Sequence, residues 1–138
     1  MSGRRLRCAG AVAAGLAVTL AGSLATDHLF HALGVYPPWG APMHDAGLNL
    51  LALAYRAGWT VLGGWVAARL APRAPVGHAI ALGAVGLVLG ILGAIGAWGM
   101  SPGWFLVAMA LTGPICAWAG GLLHGSRPAG VSNRIGGM

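Results

Sequence analysis

The chain has 138 residues, one domain at most, and carries only ten charged side chains, eight arginines and two aspartates. With 57% apolar residues and a mean hydropathy of +0.77, it falls far from a soluble domain, in which about a quarter of residues are charged. Such a chain cannot cover a water-facing surface, and its net charge of +6 does not make it a nucleic-acid binder. The arginines sit at the ends of apolar runs, not on one face interleaved with stacking aromatics.

Residues Met1 to Arg7 form a short polar start with Arg4, Arg5 and Arg7, and an unbroken apolar run follows from Cys8 to Ala25. That run also fits a signal peptide, with Ser23-Leu24-Ala25 as a cleavage site. The helical pattern continues through Leu29, Phe30 and Leu33 to Gly34, so an uncleaved span over about 8–33 is the preferred reading. Gly34 to Met43, GVYPPWGAPM, holds three prolines and two glycines, which forbid regular helix. Tyr36 and Trp39 are rings suited to the headgroup level, so this loop is predicted to lie on the membrane surface.

The second span is predicted over 43–70, with Asp45 in its first turn complementing the helix dipole. The short turn Ala71 to Pro75 makes spans two and three antiparallel neighbours. The third span, 76–99, places Gly83, Gly86, Gly90 and Gly93 on one face, a surface for close helix packing against this chain or another copy. After the turn Met100 to Gly103, the fourth span covers 104–123, with Pro114 inside it. The remaining tail, 125–138, is glycine-rich and is expected to be disordered and cytoplasmic.

Arginines set the orientation. Arg4, Arg5, Arg7, Arg69, Arg73, Arg127 and Arg134 would share one side, and the two loops on the other side contain none. Both termini are therefore expected in the cytoplasm. The fold class that follows is an all-α integral membrane protein, an up-down-up-down bundle of four transmembrane helices over residues 1–124.

Arg56 interrupts the second span, about 21 Å along the helix from Pro42. An intramembrane charge is expensive and normally meets a partner inside the bundle. Only Asp27 and Asp45 are acidic, and Asp45 is too far along the same helix. Asp27, near the outer end of span one, is the expected partner of Arg56. The pair reads either as a structural ion pair or as a functional substrate or proton site. Asp27, His28, His31, His44 and Asp45 also gather at the outer side, a weak candidate for a metal or polar cluster without a recognised ligand motif. Cys8 and Cys116 have no metal-like or CxxC spacing and read as small buried or interfacial residues.

The segments YPPWGAPM, AYR and GGWVAARLAP, with PICAWAGG further on, resemble a family of small four-helix proteins of bacterial inner membranes. The resemblance covers roughly Asp27 to Gly121. It implies a multi-pass inner-membrane location and four spans, and it carries no activity. The expected function is a non-enzymatic accessory or scaffold subunit with no cofactor. Its partners would be the lipid bilayer and a homo-oligomer or another membrane protein, not nucleic acid. The alternative is a small carrier or metal-dependent membrane enzyme built on Arg56, Asp27 and the outer histidines.

Overall fold

A computed structural model describes residues 2–125; Arg127, Arg134 and the predicted tail lie outside the described residues. Four helices and no strand occur among them: α1 (Ser2–Ala32), α2 (Ala46–Leu70), α3 (Pro75–Gly96) and α4 (Gly103–Gly125). Helices α1, α3 and α4 are long and apolar enough to cross a membrane, as a multi-pass membrane protein requires. Large apolar side chains such as Leu24, Ile95 and Ile115 point outward, which suits a lipid environment and not water.

Boundaries differ from the predicted ones for local reasons. Helix α1 begins at Ser2, because arginine is a good helix former and extends the apolar run backwards. Helix α2 begins at Ala46, and Asp45 stands just outside it as the N-cap. Its carboxylate accepts from the Leu48 amide at 3.0 Å, so Asp45 satisfies an orphan donor directly. Helix α3 stops at Gly96, and the chain then turns through Gly99 at φ +88°, a conformation that favours glycine.

Helix α2 is the hub, packed against each of the other three, while α1 and α4 do not touch. Small residues permit this. Helices α1 and α2 approach where Gly15 faces Gly63, and where the Trp59 ring lies across Gly22. Trp59 Nε1 donates to Thr26 Oγ1 at 3.1 Å, and Thr26 in turn donates to the Gly22 carbonyl. Helices α2 and α4 meet at Gly64 against Ala117 and at Gly120 against Val61, backbone to backbone. Ala67, Leu82 and Ala117 close the core at this end of the bundle, and Tyr36, Ala52, Phe105 and Leu106 close it at the other.

Of the predicted glycine face, Gly83 packs on Pro114, Gly90 on Ala110, and Gly86 more loosely on Gly113. A Cβ built at Gly93 meets nothing within 4 Å. The neighbour of this stripe is thus α4 of the same chain. Pro114 stands inside a continuous α4, and its backbone is what Gly83 makes room for.

The loop between α1 and α2 differs from its predicted surface placement in one respect. Trp39 is exposed, but Tyr36 is only 6% exposed and turns inward, where its hydroxyl has a partner. The Met43 amide donates to the Met100 carbonyl at 2.8 Å, tying this loop to the turn between α3 and α4.

Candidate functional site

Asp27 sits within the last two turns of α1, and Arg56 lies near the middle of α2. The antiparallel register set by Gly15–Gly63 and Gly22–Trp59 carries these two residues to the same level. Arg56 Nη2 donates to Asp27 Oδ2 at 2.5 Å. The Asp27 side chain is 8% exposed and that of Arg56 32%, so the carboxylate is the more committed partner.

Tyr55, adjacent to Arg56, donates from its hydroxyl to Asp27 Oδ1. Tyr36 donates to the Tyr55 hydroxyl at 3.0 Å, so a chain of hydrogen bonds runs from the loop to the carboxylate. Burial raises the Tyr36 pKa above the ordinary tyrosine value, against an opposing effect of the Tyr55 hydroxyl. Tyr36 therefore stays protonated, and a donor, at neutral pH. Both oxygens of Asp27 accept a bond, one from each of two adjacent residues of α2.

The two tyrosines have separable roles. Tyr55→Phe removes a donor from a buried carboxylate and should cost about 1–3 kcal/mol. Tyr36→Phe leaves the Tyr55–Asp27 bond intact and should cost only about 0.5–1.5 kcal/mol. Thermal unfolding of the two variants in mild detergent checks the order. Equal losses would mean that the carboxylate gains nothing special from Tyr55.

The outer histidines do other work. His31 stacks on Trp39 with ring centroids 3.7 Å apart, and His28 packs on the same ring at 5.1 Å. The Nδ1 atoms of His28 and His31 lie 3.2 and 2.7 Å from carbonyl oxygens one turn back, on Leu24 and Asp27. His44 is exposed, and Asp45 is directed to its own helix. Among the described residues, no three His, Cys, Asp or Glu side chains converge as a metal site requires. Of the Asp27, His28, His31, His44 and Asp45 group, His28 and His31 hold Trp39, Asp45 caps α2, Asp27 pairs with Arg56, and His44 lies exposed. Cys8 and Cys116 are free thiols.

Beside the ion pair lies a cleft of about 470 Å³, lined by all four helices. Along α1 it is faced by Thr19, Ser23, Asp27 and His31, a stripe at four-residue spacing. Arg56 and Thr60 face it from α2, and Gly86, Gly90 and Gly93 form a smooth wall on α3. Asp27, Arg56, His31 and the glycines are legible from the sequence, whereas Tyr55, Thr19 and the cleft are not. The spacing of 19, 23, 27 and 31 was the available signal, and Tyr55 could be placed only once the α1–α2 register was known. The volume of the cleft is in the range of small-molecule pockets, and its two charged groups, Asp27 and Arg56, stand at one level. Compared with known proteins, the chain matches no family model, no curated protein and no solved structure.

Proposed function

We propose that this is a four-span protein of the bacterial inner membrane, non-enzymatic, that holds a hydrophobic molecule in its intramembrane cleft. The observation that carries the reading is the 470 Å³ cleft with an ion pair on its wall. In this reading α2 is the fourth span. It is less apolar than the others because it carries Asn49, Tyr55 and Arg56, but it runs between α1 and α4 and is sheltered by them. The bundle is up-down-up-down with both termini cytoplasmic, an orientation supported by the clustering of arginines at one end. The likeness of YPPWGAPM and GGWVAARLAP to small bacterial inner-membrane proteins supports the same location.

A binding or carrier role is favoured over a scaffold held by glycine faces. Gly83 and Gly90, the residues that would admit another copy, are already occupied by α4. An enzymatic role finds little support, because Asp27 is held on both oxygens by Tyr55 and Arg56.

Gly93→Phe tests the reading. Gly93 lines the cleft and a Cβ built there meets nothing within 4 Å, so a ring at this position is expected to occupy the cleft and leave the α3–α4 contact at Gly83 and Gly90 in place. The mass of the intact chain released from mild detergent should show one tightly held small molecule on the wild type and none on Gly93→Phe. Identical ligand-free spectra for both chains would sink the proposal.

A further inference from the structure

We infer that the cleft takes a single-chain lipid with a carboxylate head group, held at Arg56 with its chain running along the glycine wall of α3. This rests on the proposed binding role and names its ligand class. Shape comes first. The lining runs from Leu16 to His31 on α1, fifteen residues and about 22 Å of helix rise. A lining that extends so far along one helix suits an extended hydrocarbon chain.

Chemistry along the cleft is uneven in a way that orients such a molecule. Thr19, Thr60 and Thr112 each direct the hydroxyl to a carbonyl one turn back, on Gly15, Arg56 and Ala108. Their polar atoms are thereby satisfied, and they present methyl groups to the cleft. Leu82, Leu89 and Met109 add apolar lining over about 16 Å of helix rise between Leu16 and Asp27, interrupted on α1 by the Ser23 hydroxyl. Charge appears only at the Asp27–Arg56 level.

At that level Asp27 has little acceptor capacity left, whereas Arg56 has donors to spare. Asp27 accepts on both oxygens, from Tyr55 and from Arg56. A guanidinium has five N–H donors. Arg56 directs Nη2 to Asp27, and its Nε is sealed from the cleft, so only the rest of the guanidinium can meet a ligand. Arg56 faces the cleft and is partly exposed there. A head group with oxygen acceptors can meet only the part of the guanidinium that is open to the cleft, and an ionised carboxylate makes the stronger, charge-assisted bond there. An alcohol offers a single weaker acceptor, and a quaternary ammonium head offers none.

The test uses the full chain in lipid nanodiscs, with isotope-labelled palmitate, hexadecanol and hexadecyltrimethylammonium partitioned against empty nanodiscs. Palmitate should be retained at one molecule per chain, at least tenfold more tightly than hexadecanol, with no retention of the cation above the lipid background. Arg56→Gln should remove the palmitate preference, and Gly93→Phe, which spares the ion pair, should remove retention of every probe. The wild-type comparison needs no variant to fold. Equal retention of palmitate and hexadecanol, or tighter retention of the cation, overturns the carboxylate assignment and leaves the binding role standing. No retention of any probe above background overturns both.

Discussion

Gly120→Ala and Gly64→Ala are each expected to unfold the α2–α4 interface, although each adds a single methyl group. A Cβ at Gly120 would run into the Val61 carbonyl, and one at Gly64 into the backbone of Ala117. Backbone faces backbone in both places, so no side chain can swing away to make room. Overpacking a well-filled core costs about 1–3 kcal/mol and sometimes more, and a clash between two helix backbones belongs at the upper end. Helix propensity pulls the other way, since alanine is favoured over glycine by about 1 kcal/mol in a helix. Gly93→Ala isolates that opposite term, because its methyl group meets nothing. The expected result is a large drop in unfolding midpoint for Gly64→Ala and Gly120→Ala, with Gly93→Ala unchanged or slightly raised. Unfolding in mixed micelles of mild and denaturing detergent, followed by tryptophan fluorescence, measures all three. Comparable midpoints for the three variants would show that the helices are not in backbone contact.

These glycines also mark how far the sequence could be read. The helical runs and their turns were legible because Pro37, Pro38, Pro42, Pro72 and Pro75 cluster between long apolar stretches, where proline ends or starts a helix, while Pro114 inside α4 shows that a lone proline need not. The spacing of Gly83, Gly86 and Gly90 announced close packing but not against what, since a flat face fits any other flat face. The partner depends on the register of α3 against α4, which no local pattern encodes. The opposite holds for Arg56. Charge is so scarce that Asp27 was nearly the sole candidate partner, and scarcity did the work that geometry usually does. Tyr36 shows the limit of such arguments, because an amphipathic ring beside two prolines reads equally as an interface anchor or a buried donor. Only the position of Tyr55, nineteen residues on, decides between them.

The largest single-site asymmetry is expected at the ion pair. Arg56→Met leaves the Asp27 carboxylate buried with only Tyr55 as a donor, and removing one partner of a buried pair costs about 3–5 kcal/mol. Asp27→Leu leaves a guanidinium that is already one-third exposed to the cleft, so it can extend along that opening, and the loss should be smaller. The double variant Asp27→Leu/Arg56→Met replaces both charges with apolar side chains of similar bulk and should recover most of the loss. In it, Tyr55 can still bond to Tyr36, so no hydroxyl is stranded. The double-mutant cycle should therefore show a coupling of about 0.5–3 kcal/mol, as for residues within one network. Unfolding midpoints in mild detergent give the four corners of the cycle. Additive losses, with the double variant the least stable, would mean that the two residues do not act as a pair. A restored double variant also separates the two uses of the site. If it folds like the wild type yet no longer prefers palmitate to hexadecanol, the pair has been retained for its ligand and not for the bundle.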